Sequence, residues 1–124
     1  MEQTLQSNSL HAFDMLRAHA AEYNRAEYKF YQAGFVKFVR EGRFSILIEE
    51  LYIIPEFRGT PIARIMMTEF EKYLNDQGIV SYFGRVFKGD EKNYQKRMKT
   101  FLKWGIQVVR DTEYYTLMRG QSNE

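Results

Sequence analysis

The most constraining feature of the sequence is a strong helical pattern that lies directly between two strand-like runs. Apolar residues recur every three or four positions from Ile62 to Gln77, and Gly78 follows. This spacing predicts an amphipathic helix that ends at Gly78. The flanking runs Phe44–Ile54 and Ile79–Phe83 are rich in β-branched and aromatic residues, which is typical of strands. A helix that joins two strands predicts a βαβ crossover whose strands are parallel neighbours.

The rest of the chain adds elements on both sides of this unit. From Ser9 to Gln32 the apolar residues follow a helical period, which predicts one helix capped by Ser9 and ended by Gly34, or two helices with a break near Tyr23. The other predicted elements are a strand 35–39 in a hairpin with 44–54, an extension of the 79–83 strand to Val86, a helix 91–104, and strands 106–110 and 113–118. This order predicts an α/β fold, a single domain over residues 1–124 in which helices flank one mixed sheet. Residues 1–8 and 120–124 are expected to be flexible.

Composition excludes several classes of protein. The chain has 124 residues, no cysteine and a formal net charge of +2, so a disulfide scaffold and a thiolate metal site are excluded. No apolar run approaches the roughly 20 residues of a membrane span, and no signal peptide is visible, so a cytoplasmic protein is expected. His11 and His19 are eight residues apart. A pair of metal ligands on a helix prefers a spacing of four residues with a carboxylate nearby, so no metal site is predicted.

The segment from Glu49 to Ala63 carries the pattern that indicates chemistry. A strand runs into a short loop that contains Gly59, and the loop opens the 62–77 helix. Backbone N–H groups at a helix start lack intrahelical partners and favour anions, and Arg58 and Arg64 add positive charge. The loop is therefore either a phosphate-binding site or an ordinary strand–loop–helix junction.

This segment resembles motif A of the GCN5-related N-acetyltransferase (GNAT) superfamily. Leu51, Ile53 and Pro55 precede Arg58 at the spacings of that family, and Ala63 matches the last position of the family's loop. The order of elements also follows the family from residue 35 to residue 118. The resemblance implies an acyl-CoA N-acyltransferase (GNAT-like) fold with a shortened N-terminal part. It also implies acetyl-CoA as cosubstrate and direct acetyl transfer to an amine.

The resemblance also implies roles for individual residues. The coenzyme pyrophosphate would be held by Arg58, Gly59, Thr60, Ile62 and Ala63, and the pantetheine arm by Leu51, Tyr52 and Ile53. Asn93 lies one residue from the position of a family coenzyme-binding Asn.

Glu50 is the predicted general base, because several relatives place a catalytic Glu eight residues before the loop Arg. Strand alternation would put Glu50 on the face opposite Leu51, and Glu49 on the same face as Leu51. The N–H near Ile53 is expected to stabilise the developing oxyanion.

The sequence departs from the family pattern in three ways, and the first two, at Pro61 and Phe101, support a second hypothesis. Pro61 replaces the central loop glycine and removes one N–H donor, and Phe101 replaces the Tyr that protonates the departing thiolate in many relatives. Tyr82, Tyr94 or a water would have to supply that proton. In addition, one helical region and one clear strand precede the motif, fewer elements than relatives have. The alternative is a catalytically inactive GNAT-fold protein, similar to phage-encoded ones, that binds a host protein or nucleic acid.

The last notable pattern is a basic helix face. Lys92, Lys96, Lys99 and Lys103 follow at spacings of four, three and four. This face is either a solvated surface or a contact for coenzyme phosphates, a nucleic acid or a protein partner. The acceptor amine and the oligomeric state are not indicated by any pattern in the sequence.

Overall fold

The computed structural model describes residues 25–122, which form one mixed sheet and two α-helices. The strands are β1 (Ala26–Tyr31), β2 (Gly34–Arg40), β3 (Ser45–Ile53), β4 (Ser81–Phe87), β5 (Gln107–Asp111) and β6 (Tyr115–Gln121). The helices are α1 (Pro61–Asp76) and α2 (Glu91–Lys103), and a short 3-10 turn covers Pro55–Phe57. In space the strands lie in the order β1-β2-β3-β4-β6-β5.

The predicted βαβ crossover is confirmed. β3 and β4 are parallel neighbours joined by α1, with Ser45 opposite Ser81 and Ile48 opposite Gly84. The other strand pairs of the described sheet are antiparallel. The predicted hairpin, the 62–77 and 91–104 helices and the last two strands all lie within a few residues of their predicted bounds.

Both helices contribute to one apolar core against the sheet. Met66, Phe70 and Leu74 of α1 are buried with Phe38 of β2, and the rings of Phe38 and Phe70 meet edge to face at 5.5 Å. Met98 of α2 joins the same core. No helix among residues 25–122 is both long enough and apolar enough to cross a membrane.

The predicted helix over Ser9–Gln32 is wrong for residues 26–31, which the structure describes as a strand. Residues 26–31 form β1, an antiparallel strand paired along its whole length with β2. The physical reason is the alternation of Ala26 and Tyr28, which are buried, with more exposed residues between them. The earlier part of that prediction, with Ser9, His11 and His19, lies outside the described residues. Within residues 25–122, two strands rather than one therefore precede β3.

Gly34 does not end a helix, because it is the first residue of β2. A Cβ at Gly34 would overlap the carbonyl oxygen of Tyr52 on β3. Glycine is therefore needed there for close strand approach.

The C-terminal residues extend the sheet further than predicted. The C-terminal segment that was expected to be flexible begins inside β6 in the described structure. Gly120 pairs with Tyr82 in the β4–β6 ladder, and the side chain of Ser122 donates to the carbonyl of Ile79. β4 itself starts at Ser81 rather than Ile79 and continues through Gly84 to Phe87.

Candidate functional site

The candidate site begins where two parallel strands separate. Pairing between β3 and β4 runs from Ser45 to Ile48 and stops there. Beyond that point β3 continues to pair with β2 only, and β4 with β6 only. The second halves of the two strands therefore enclose a gap in the middle of the sheet.

A β-bulge lies at the start of this gap. The register shifts between Lys37 and Phe38 of β2, which lie opposite Glu50 and Ile48, so that Glu49 is the extra residue of β3. The carboxylate of Glu49 lies 3.6 Å from the ammonium of Lys37. Because Phe38 and Lys37 alternate, Lys37 is on the face opposite the core. The expectation that Glu49 shares a face with Leu51 is therefore wrong, since the bulge interrupts the alternation.

The unpaired edge of β3 presents backbone groups to the gap. The N–H of Ile54 donates to the carbonyl of Ala33 at 2.7 Å, which fixes the residues that face β2. Since neighbouring residues of a strand direct their backbone groups to opposite sides, Tyr52 faces β2 while Leu51 and Ile53 face the gap. Leu51 and Ile53 thus offer the hydrogen-bonding edge of a strand that lacks a neighbour.

A cleft of about 330 Å³ occupies the gap. Its helix side is mainly apolar, and its rim carries two acidic and two basic side chains, Glu49, Glu50, Arg85 and Arg97. The apolar lining comes from Ile48, Leu51, Met67, Val86, Phe101, Ile106 and Met118. The predicted base, Glu50, is exposed and lines this cleft.

The loop predicted to hold a pyrophosphate offers fewer free N–H groups than its length suggests. Thr60 donates its N–H to Phe57, and Ala63 donates to Thr60, both at 3.2 Å. Gly59, in the left-handed region at φ 74°, and Ile62 have N–H groups with no acceptor among residues 25–122. Two of the predicted amides are therefore open to an anion.

The loop arginine predicted for that site is attached to the strand. Arg58 Nε donates to the carbonyl of Ile53 at 2.8 Å, and its guanidinium lies over the Tyr52 ring at 5.6 Å. Arg58 therefore takes up the gap-side carbonyl at the end of β3.

A second arginine follows the loop in the first turn of α1. The guanidinium of Arg64 lies 5.5 Å from the ring of Trp104 at the end of α2. Its Nη1 atom is buried and has no hydrogen-bond partner within the described part of the chain. A buried cationic donor without a hydrogen-bond partner is costly, so this atom is available to an anionic ligand.

The residues proposed to replace a catalytic tyrosine are occupied by other contacts. Tyr82 bonds through its hydroxyl to Glu71, and burial, followed by this carboxylate, raises the pKa of Tyr82 above its ordinary value. The hydroxyl of Tyr94 lies 2.6 Å from Thr116 Oγ1. Phe101 lines the cleft and offers no proton.

Asn93 is engaged in the cap of α2. Its amide donates to Asp90 at 3.1 Å, and its backbone N–H also donates to Asp90. The asparagine is thus held at the helix start by the residue that caps it.

The basic face of α2 is exposed along its length. Lys92, Lys96, Lys99 and Lys103 are all exposed, and no ion pair involves them among residues 25–122.

Sequence reasoning missed the contributions of β4 to the site. Gly84, Arg85 and Phe87 line the cleft, although only general strand patterning was visible for this segment. The signal that could have found Arg85 is strand alternation, because the buried Val86 next to it places Arg85 on the outer face of the sheet. Nothing in the sequence shows that β4 turns away from β3.

Comparison with known proteins places this architecture in one fold class. No family model and no curated protein matches the sequence. Among solved structures, a Desulfovibrio desulfuricans protein described as an acetyltransferase of the GNAT family superposes with a TM-score of 0.68 at 11% identity, over 94% of this chain and 83% of that one. The Campylobacter jejuni N-acetyltransferase PseH, solved with acetyl coenzyme A, superposes with a TM-score of 0.65 at 15% identity. The match covers 96% of this chain and 84% of that one.

Ard1 from Thermoplasma volcanium gives a TM-score of 0.60 at 16% identity, over 74% of this chain. The chain spans 64% of the length of Ard1. Together with the mixed sheet and its opened parallel pair, these likenesses define the fold. The described chain has the GNAT acyl-CoA N-acyltransferase fold, as the loop pattern predicts.

Proposed function

We propose that this protein is an acetyl-CoA-dependent N-acetyltransferase that transfers an acetyl group to an amine. The observation that carries the proposal is the separation of β3 from β4 after Ile48, which leaves an unpaired strand edge beside an apolar cleft. An extended amide-containing chain can bind such an edge as an added strand does. The pantetheine arm of coenzyme A has that chemistry, and PseH, a protein of the same fold, was solved with acetyl coenzyme A.

The residues of the site fit the coenzyme from its arm to its phosphates. Leu51 and Ile53 direct backbone groups to the gap, with Tyr52 beside them, and these groups would bind the pantetheine amides. The N–H groups of Gly59 and Ile62 would bind the pyrophosphate at the positive end of α1. Arg64, in the first turn of the same helix, has a buried donor without a partner in the described chain, which supports an anionic ligand.

The other predicted coenzyme residues take supporting roles in this proposal. Arg58, Thr60 and Ala63 shape the loop through their own hydrogen bonds. Asn93 fixes the start of α2 beside the cleft rim.

Glu50 is the residue that we assign as general base. When bound, the acetyl thioester supplies an activated acyl carbon for attack by an amine. The carboxylate of Glu50 accepts the proton that the amine loses, and the Ile53 N–H stabilises negative charge on the acyl oxygen. Tyr82 and Tyr94 already bond to Glu71 and Thr116, so the proton that Glu50 accepts would pass through solvent to the departing thiolate.

Two measurements on the full chain test this function. Titration calorimetry with acetyl-CoA at low salt should give a micromolar dissociation constant. A thiol-release assay with a panel of amines should give turnover that depends on both substrates. If acetyl-CoA fails to bind at millimolar concentration, the proposal is wrong and the inactive binding protein becomes the better hypothesis.

For the basic face of α2 we propose contact with a polyanion such as a nucleic acid. The four lysines lie along one stripe of the helix and are exposed without ion pairs in the described structure. Their replacement by glutamine should remove or weaken binding to duplex or single-stranded nucleic acid. Any remaining binding should show a smaller slope of log K against log salt, by the equivalent of up to about four phosphate contacts. Lys72→Gln on α1 is the matched control. If the wild-type chain does not bind nucleic acid at low salt, the face is a solvated surface.

A further inference from the structure

The rim of the cleft carries opposite charges on opposite strands. Glu49 and Glu50 belong to β3, and Arg85 belongs to β4 on the other side of the gap. No ion pair joins these residues within the described part of the chain, although all of them line the same cleft. Opposite charges that face a shared cleft without touching leave room for a ligand that carries both complementary charges.

The guanidinium of Arg85 is held in place by an aromatic pair. It lies 5.8 Å from the ring of Tyr115, and that ring packs edge to face against Phe87 at 5.8 Å. Stacking uses the flat face of a guanidinium and leaves its N–H donors for a planar anion. No hydrogen bond of Arg85 to residues 25–122 uses these donors.

The other charged groups of the rim are already engaged, which singles out two residues. Glu49 is paired with Lys37, whereas Glu50 has no ion-pair partner in the described chain. Arg97 donates to the carbonyl of Phe87 at 3.3 Å and to that of Asn93 at 3.4 Å. Arg85 and Glu50 therefore remain as the unoccupied positive and negative groups of the rim.

We propose that the acceptor is a small amine that also carries an anionic group, a carboxylate or a phosphate. Its amine faces Glu50 and its anion accepts hydrogen bonds from Arg85. This inference rests on the proposed acetyltransferase function, since it names the acceptor class of that site. An acceptor that carries an anion gains a charge-assisted hydrogen bond from Arg85, which a neutral acceptor lacks.

The test compares acceptors that differ only in the anion. Suitable pairs are glycine with glycinamide, β-alanine with β-alaninamide, and phosphoethanolamine with ethanolamine. Wild-type kcat/KM should favour at least one anionic member. Arg85→Gln should lower kcat/KM for that member about ten- to a hundredfold, the usual effect of losing a charged hydrogen bond, and change its neutral counterpart by less than about twofold. The measured quantity is the ratio of kcat/KM for the anionic acceptor to kcat/KM for its neutral counterpart. Comparing this ratio between wild type and variant cancels the intrinsic difference in amine reactivity.

Arg119→Gln is the matched control. Arg119 lies over the Phe83 ring at 5.9 Å, so it is also a stacked and exposed arginine, but it does not line the cleft. This variant should keep the wild-type preference for the anionic acceptor.

The remaining outcomes separate this inference from the proposed function. Acetylation of neutral and anionic amines with equal efficiency overturns the inference and leaves the acetyltransferase intact. A rise in KM for acetyl-CoA in Arg85→Gln, with unchanged acceptor preference, assigns Arg85 to the coenzyme phosphates and also overturns it. Absence of turnover with every amine overturns both.

Discussion

The two halves of β3 share one strand but have different environments. Residues 46–48 pair with β2 on one side and β4 on the other, and Ile46 is completely buried. Residues 50–53 pair with β2 alone after the bulge at Glu49, and residues 49–51 line the cleft. The closed half has strand neighbours on both sides, whereas the open half has one edge without a strand neighbour in the described chain. Ending one strand pair early therefore creates an open edge inside a sheet.

The sequence at the boundary explains the bulge that lies there. Glu49 and Glu50 are adjacent, and strict alternation would direct one of them into the apolar core at a high desolvation cost. The bulge at Glu49 lets both carboxylates reach solvent while Leu51 returns to the core side. Two neighbouring acids therefore account for the bulge at this boundary.

The largest effect is expected when the proposed base is removed from the open half of β3. Glu50→Gln should lower kcat about 10²- to 10⁴-fold, the usual contribution of a general base, with acetyl-CoA affinity nearly unchanged. Glu49→Gln is the control, because Glu49 lines the same cleft but is paired with Lys37. It should stay within a few-fold of wild type in the same assay. Equal losses in the two variants would contradict the assignment of Glu50.

A second change closes the gap at its narrow end. Gly84 lies opposite Ile48 at the last paired position, and a Cβ there would lie 3.9 Å from Ile48 Cβ in ordinary contact. Gly84→Val should therefore fold, because β-branched residues suit strands, while its methyl groups fill the cleft. Acetyl-CoA affinity should fall about tenfold or more, as expected when a packed site is overfilled.

Gly89→Ala is the control for this change, since a Cβ at Gly89 meets nothing within 4 Å. Calorimetry gives the affinities and thermal unfolding verifies the fold. Unchanged affinity in a folded Gly84→Val protein would show that the coenzyme does not use this end of the gap.

Only part of this structure could be predicted from the sequence. The crossover and α1 were predictable because local periodicity and the flanking strand runs agree. β1 was not, because its residues 26–31 continue a helical spacing that tertiary pairing with β2 overrides. The opening of β3 from β4 depends on the path of a partner strand, which no local pattern encodes. Glu50 was predicted from the family resemblance, whereas the position of Arg85 beside the gap depends on that path.

A smaller effect is expected at the far end of the open half. Pro61 has no N–H and begins α1 beside the two free loop amides. Pro61→Ala adds one donor to the helix start and should tighten acetyl-CoA binding by up to about tenfold. Pro55→Ala replaces the other proline of the segment and should leave affinity unchanged. If Pro61→Ala has no effect, the pyrophosphate does not lie at this helix start.

The smallest predicted effect concerns the closed half, where Tyr82 lies opposite Ile46 and bonds to Glu71. Tyr82→Phe should lower the free energy of unfolding by about 1–2 kcal/mol near pH 7, because a hydrogen bond to a charged group is lost. Folding raises the pKa of Tyr82, so its contribution is complete below the unfolded tyrosine pKa of about 10. Above that pH the unfolded chain loses the proton first, and the contribution is lost as pH rises.

Urea unfolding between pH 7 and 11 should therefore show a steeper loss of stability for the wild type than for Tyr82→Phe above pH 10. Part of the slope remains in both proteins, because burial also raises the pKa of Tyr31. Turnover should be unchanged in Tyr82→Phe if the closed half of the strand pair is purely structural. A large loss of kcat with normal acetyl-CoA affinity would instead identify Tyr82 as the proton donor to the departing thiolate. That outcome would extend the catalytic site across the boundary between the two halves of β3.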